Sequence, residues 1–429
     1  MKERGNRLLH LMDRYIGIPL IFALKGLRSR RNLSLSHDMR KIALLKSAGI
    51  GDLCLLLGII ADLKKWRPET TITLFTGQSN ACMGKLISGI RLVTLPMTRP
   101  FKALKIIRRG RFDLFIDCDP WPRINALFSF FSRSRIKIGF KTIGQYRHSL
   151  YDLAIPHQIE CHELKNYQRL IEALGCDTGS PPLLKNENFM LPSLESKRVA
   201  SQILTACNEE KGLACPSFSR QTDEEIQLKA PSKTLSKLKR KRVICHLYSG
   251  GVFAHLKMWE KSNWKRLILS LLNEGFEVIL TGGDREKKAL DLFIREMENK
   301  HVKSIAGCPL EETVKILKNS FCLISVDTGI MHLASILGCH VIALHGPTSP
   351  LHWGGVGPNV IAIVGDSKGS PLLRLGFERV AKNNRSMETI TVDQVLAAVL
   401  KIKQKEKHMH KKQEAEEPTR ASESQTESA

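Results

Sequence analysis

Leu323-Ile-Ser-Val-Asp-Thr-Gly-Ile-Met-His-Leu-Ala334 sets the reading of this chain. Leu323 to Val326 is a short apolar run suited to a strand buried on both faces. Asp327 stands at its mouth, Thr328-Gly329 can turn the backbone, and Met331 to Leu337 reads as a helix. A strand passing through a glycine turn into a helix is half of a βαβ unit.

The same grammar recurs on both sides. Upstream, Val243 to Leu247 is a strand leading into Tyr248-Ser-Gly250-Gly251, and Asn263 to Asn273 is a helix. Phe276 to Thr281 is a strand ending in Gly282-Gly283, and Leu310 to Lys318 is a helix. Downstream, Val341 to Leu344 ends at His345-Gly346-Pro347-Thr348. Near the other end of the chain, strand Lys41 to Lys46, turn Ser47 to Gly51 and helix Leu53 to Trp66 open a second such series, followed by strands Thr71 to Thr76 and Phe112 to Asp117. Alternating short strands and helices predict an α/β fold with parallel sheets covered on both faces.

At 429 residues the chain exceeds what one core usually organises, so two domains are expected. The predicted boundaries are a basic amphipathic membrane-surface segment at 1–38, an N-terminal α/β domain at 39–208 and a basic linker or insertion at 209–241. A C-terminal α/β domain follows at 242–402, closed by a helix from Val392 to Ile402, and then a disordered charged tail at 403–429. Within the first segment, Ile16 to Leu24 is too short to cross a bilayer and is followed by Lys25, Arg28, Arg30 and Arg31. That pattern predicts an interfacial anchor, the competing reading being a helix that covers the protein's own core.

A net charge of +24 calls for an anionic partner: nucleic acid, anionic lipid or a phosphorylated glycan. Nucleic acid is disfavoured by 6% aromatic residues and by the lack of any recognisable binding pattern. The eleven cysteines include no CxxC pair, which argues against structural zinc and dithiol redox chemistry and predicts reduced core residues of a cytosolic protein. No GxxxxGK[ST] and no strand-linked GxGxxG is present, against an ATPase or a standard dinucleotide fold.

The glycine turns carry the candidate chemistry. Asp327-Thr328-Gly329 can aim the first amides of a helix at an anion, with His332 one turn on. Gly250 and Gly251 precede Lys257-Met-Trp259, where a lysine can steady a diphosphate leaving group. Asp284 and Glu286, just past Gly282-Gly283, can accept hydrogen bonds from ribose hydroxyls, and Gly346-Pro347-Thr348 can complete a phosphate site. In the first domain, Gly51-Asp52 ends the turn facing the same cleft; Asp52 reads equally as a base for an acceptor hydroxyl or as a helix cap. Asp117-Cys-Asp119 has the form of a metal-binding DxD but ends a strand in the acceptor half, so no metal site is assigned.

Taken together, Gly51-Asp52, Lys257-Met-Trp259, Thr281-Gly-Gly283, Asp327 to Ala334 and Gly346 to Pro350 resemble glycosyltransferase family 9, the ADP-heptose:lipopolysaccharide heptosyltransferases. The likeness covers roughly residues 40 to 365. It implies a GT-B architecture, two Rossmann-like domains facing across a cleft, with Asp52 as general base and Lys257 on the donor phosphates. It also implies an inverting transfer, with heptose from ADP-heptose as donor and the core of a lipopolysaccharide or another lipid-linked glycan as acceptor. No cofactor beyond the donor is expected, and the implied place is the cytoplasm, peripheral on the inner face of the bacterial inner membrane. The alternatives are a hexosyltransferase of the same fold acting on another surface glycan, and a non-catalytic nucleic-acid- or glycan-binding protein. Leu247-Tyr-Ser-Gly250 and Glu260 depart from the family's usual prolines at those turns.

Overall fold

The computed structural model describes residues 7–27, 39–180, 182, 241–251, 253–368, 372–373 and 384–423. The N-terminal half runs α1 (Arg7–Tyr15), α2 (Gly17–Lys25), β1 (Lys41–Lys46), α3 (Ile50–Trp66), β2 (Thr71–Thr76), α4 (Ala81–Gly84), β3 (Arg91–Thr94), α5 (Pro100–Arg108), β4 (Leu114–Asp117), α6 (Arg123–Phe131), β5 (Ile136–Lys141), β6 (Leu153–Pro156) and α7 (Glu163–Glu172). A 3₁₀ turn at Arg147–Leu150 precedes β6. The C-terminal half runs β7 (Arg242–His246), α8 (Lys261–Asn273), β8 (Glu277–Thr281), α9 (Asp284–Arg295), β9 (Val302–Ser304), α10 (Leu310–Lys318), β10 (Cys322–Val326), α11 (Gly329–Ile336), β11 (Val341–His345), α12 (Pro350–Trp353), β12 (Val360–Val364) and α13 (Val392–Glu423).

Each half holds one six-stranded sheet, ordered β3-β2-β1-β4-β5-β6 and β12-β11-β10-β7-β8-β9, and every strand pair is parallel. The two orders are the same winding used twice. In each sheet the chain reverses direction of travel between two central strands, β1 and β4 in the first and β7 and β10 in the second. Crevices at such reversals, beyond the carboxyl ends of the strands, are where open α/β sheets receive ligands. All four strands are apolar and buried almost throughout, as parallel strands with helices on both faces must be. The two halves meet where α3 packs against α11, and one apolar cluster joins Leu53 and Leu56 to Met331 and Leu333.

Two segments depart from expectation. The tail expected to be disordered from residue 403 instead continues α13 as helix to Glu423. Its run of Lys, Gln, Glu and Ala consists of strong helix formers, and Lys403 ties it to the Glu274 carboxylate at 2.8 Å. At the other end, α2 packs on the core of its own half while Leu20 and Phe22 stay exposed. Ile21 and Leu24 are buried against Ala126, Leu127, Leu150 and Tyr151, while Asp13 accepts hydrogen bonds from the Arg123 guanidinium and the Ile124 amide, both at 3.1 Å. Most of the expected basic linker, residues 209–240, lies outside the described residues.

Candidate functional site

One wall of the candidate site is built from the turn after β1. Gly49 has φ +91°, a conformation that favours glycine, and it immediately precedes α3. The Asp52 carboxylate folds back over Gly49 into the space a Cβ would take there. Asp52 therefore lies in the first turn of α3 and is not its cap, and the helix dipole favours its negative charge. Its Oδ1 accepts a hydrogen bond from the Tyr167 hydroxyl at 2.9 Å and lies 3.4 Å from Lys46 Nζ. The side chain remains 19% exposed, enough to meet a substrate.

Lys46 ends β1 and is buried. Burial opposes its charge, but Asp119 and Asp52 outweigh that and raise its pKa above the ordinary lysine range. Asp119 is fully engaged: it pairs with Lys46 and accepts from the Ser47 amide, the Ser47 hydroxyl and the Asn125 amide, each at 2.7 Å. Asp117 looks the other way, into a buried cluster with Arg147 and with Tyr151, whose hydroxyl donates at 2.6 Å. The two carboxylates of the DxD sequence thus take different side-chain partners, and the Asp119 amide, donating to Asp117 Oδ1 at 3.1 Å, joins the two clusters. Among the described residues no group of three or more His, Cys, Asp or Glu is arranged to hold a metal ion.

The facing wall is built from the turn after β10. Asp327 is buried, accepts a hydrogen bond from Lys257 Nζ at 2.9 Å, and has its main-chain oxygen bound by the Ser249 hydroxyl at 3.0 Å. Burial pushes its pKa up, but Lys257, His345 and His332 together hold the carboxyl well below its usual range. Thr328 starts α11 in an extended conformation, and its side chain makes no capping bond to the helix amides. His332, one turn along, is pushed down to about 4 by burial, against the opposing pull of Asp327 and Asp52, and is neutral at pH 7. Two buried ring nitrogens, His332 Nδ1 and His345 Nε2, have no hydrogen-bond partner among the described residues.

The walls touch through two glycines. A Cβ on Gly51 would stand 2.5 Å from His332 Cδ2, and one on Gly329 would stand 2.9 Å from Ile50 Cβ. The starts of α3 and α11 are therefore in near-backbone contact, which sets Asp52 and the Asp327 turn on opposite sides of one seam between the halves. A second seam lies beside it. His162 Nε2 bonds the Gly354 carbonyl at 3.0 Å, and His352 Nδ1 bonds the Cys161 carbonyl at 2.6 Å.

Residues 101–375 match the family described as Glycosyltransferase family 9 (heptosyltransferase). The chain belongs to this family. It is 23% identical over 326 residues to lipopolysaccharide heptosyltransferase 2 of Salmonella typhimurium, covering 72% of this chain and 84% of that protein. It is 21% identical over 369 residues to lipooligosaccharide heptosyltransferase 2 of Haemophilus ducreyi, covering 83% and 97%. Among solved structures, a family 9 glycosyl transferase from Veillonella parvula superposes with TM-score 0.66 at 16% identity, covering 86% of this chain and 99% of that one. The E. coli ADP-heptose lps heptosyltransferase II superposes with TM-score 0.61 at 17% identity, covering 86% and 100%. The protein is a glycosyltransferase with the GT-B fold.

Within this family 9 enzyme, the structure gathers Asp52, Lys257, Asp327, Thr328, Gly329 and His332 along the seam between the halves, with Thr348 hydrogen-bonded to His345 at 3.3 Å. Glu286 lies near Tyr248, whose phenol pKa is raised by burial and by that carboxylate, and it folds over Gly283. Asp284 leans instead toward Gly307. Gly250 and Gly251 form an exposed loop, and Gly251 has φ +103°. Gly282 leaves room for Leu290, 2.8 Å from where its Cβ would be. Gly346 differs from expectation. The space its Cβ would need is filled by Met387 Cγ and Sδ at 2.5 Å, so its smallness serves packing. Pro347 accepts the Leu373 amide at 2.6 Å, which makes that loop part of a small bridge. Sequence reasoning set Asp119 aside with the DxD motif and missed Lys46, Tyr167 and His162, because each has a partner at least 70 residues away. A buried lysine ending the first strand was the one signal available.

Proposed function

We propose that this glycosyltransferase transfers a heptose from ADP-heptose, with inversion, to the core of a lipopolysaccharide or a related lipid-linked glycan. One observation carries the reading: the partly exposed Asp52 carboxylate stands on one side of the seam between the halves, and the Lys257–Asp327 turn and the uncapped start of α11 stand on the other. The names of the curated relatives and the family supply the sugar and acceptor class. An acceptor oxygen attacks the anomeric carbon and its proton passes to Asp52. The bond from that carbon to the nucleoside diphosphate breaks on the opposite face, and the pair of electrons leaves with the diphosphate. Lys257, the first amides of α11 and the helix dipole take up the charge that develops there. His332 and His345, neutral and with unpartnered ring nitrogens, offer hydrogen bonds to the donor, and Glu286 and Asp284 lie on the side where a ribose would sit.

The proposed location is the cytoplasmic face of a bacterial inner membrane, supported by the net charge of +24 and by the chemistry of a lipid-linked acceptor. Asp52→Asn tests the mechanism with a panel of nucleotide sugars. Transfer should fall by roughly 10²- to 10⁴-fold, the usual contribution of a general base, while donor affinity is kept. Unchanged transfer removes Asp52 from that role, and a donor preference for a hexose replaces heptose in the reading.

A further inference from the structure

Among the described residues, eleven of the sixteen well-exposed large apolar side chains belong to the N-terminal half, on α1, α2, α5, α6 and the segments beside them. The five in the C-terminal half sit on separate elements. The elements concerned adjoin one another: α6 is touched by α1, α2 and α5, and α2 also rests on the 3₁₀ turn at Arg147–Leu150. Helix α2 is apolar on both faces. Ile21 and Leu24 enter the core, whereas Leu20 and Phe22 face out, and Phe22 meets Tyr146 at 5.3 Å between ring centres. Ile143, 90% exposed, and Phe101, 88% exposed, extend the same flank. No helix among the described residues is long and apolar enough to cross a membrane.

Cations are interleaved with these side chains. A groove of about 370 Å³ between α5 and the end of α6 is lined by Phe101, Leu104, Lys105, Arg108, Arg109 and Arg133, without a carboxylate. Lys25 and Lys141 lie close enough to His148 to reinforce, after burial, the lowering of its pKa. Scattered apolar tips among cations suit an anionic bilayer, where each tip enters the headgroup layer and each cation meets a lipid phosphate. The flank also leads to the reaction site. Tyr146 precedes Arg147, whose guanidinium holds the Asp119 carbonyl at 2.5 Å, and Asp119 pairs with Lys46 beside Asp52.

We propose that this flank, formed by α1, α2, α5, α6 and the Ile143–Tyr146 loop, is a membrane-docking surface that seats the acceptor wall on an anionic lipid leaflet. It rests on the proposed membrane location and specifies which face meets the lipid. The full chain is tested by co-sedimentation with phosphatidylethanolamine–phosphatidylglycerol vesicles and with phosphatidylcholine vesicles. Arg108→Gln/Arg109→Gln should weaken partition to the anionic vesicles roughly thirtyfold, at the usual worth of two juxtamembrane cations. Ile143→Asp should weaken it about tenfold. The matched control Lys288→Gln/Arg295→Gln, exposed on α9, should leave it near wild type. All the sites are exposed, so unchanged melting temperatures identify folded variants. The proposal is overturned if the control loses as much as the α5 variant, since bulk charge then explains binding. It is equally overturned if Ile143→Asp binds as wild type while the α5 variant loses vesicles and RNA alike, which marks a polyanion site. Sedimentation needs no sugar, so a chain that shows this pattern but transfers nothing removes the transferase mechanism and leaves the docking surface standing.

Discussion

Gly51→Ala probes how the two halves meet. Its new Cβ would lie 2.5 Å from His332 Cδ2 and 3.2 Å from Cγ and Nε2, where ordinary contact begins at 3.4 Å, so the ring must retreat by about 0.9 Å. It has little room to do so, because His332 is buried and Gly329 on the same helix leaves no space for a Cβ beside Ile50. Two reliefs exist. The core can repack, at about 1–3 kcal/mol for such crowding, or the halves can part at the seam. Each half has its own six-stranded sheet, so parting leaves the fold intact and penalises the closed cleft. The expected result is a melting temperature within about 3 °C of wild type together with a loss in kcat/KM of roughly 5- to 150-fold, the kinetic equivalent of the crowding energy. Scanning fluorimetry and nucleotide-diphosphate release measure the two. His332→Ala supplies the control, since in its background Gly51→Ala should cost nothing further. Wild-type turnover in Gly51→Ala, or an equal loss in both backgrounds, refutes the reasoning.

The remaining predictions concern charge. Lys257→Ala leaves the buried Asp327 carboxylate without its cation; because Lys257 is partly exposed, the loss should be about 2 kcal/mol, read as a drop in melting temperature of roughly 5 °C, with Lys257→Arg recovering much of it. Arg147→Met strands Asp117 in the core and should cost about 3–5 kcal/mol in urea denaturation, whereas Arg147→Met/Asp117→Leu should recover most of the loss; a fully stable single variant would contradict the buried pair. Burial pushes both His332 and His246 down to about 4 from 6.5, so the unfolded chain takes up protons that the folded one refuses. Their stability contribution is complete above pH 6.5 and is lost as the pH falls toward 4. Between pH 7 and pH 5 that amounts to about 2 kcal/mol for each ring, and His246→Gln should flatten the fall in melting temperature.

How much of this was legible depended on what each residue answers to. The central strands β1, β4, β7 and β10 show in the sequence because they are apolar almost end to end, and the turns after β1, β8 and β10 show because glycine, aspartate and threonine mark a change of backbone direction. The outer strands β3 and β12 did not show, since their partly exposed faces break the apolar run. Asp52 could be named from its place after a glycine turn, but its position inside the first turn of α3 and its contacts with Tyr167 and Lys46 came only with the structure. Gly346 and Gly51 look alike as letters. One accommodates Met387 and the other His332 from across the cleft. Periodicity and turn chemistry are local, so the order of residues is enough to reveal two α/β halves and the turns that could hold a diphosphate. Which carboxylate is clamped, which glycine sits at the seam and which face is left apolar are set by residues distant in the chain, and only folding brings those into contact.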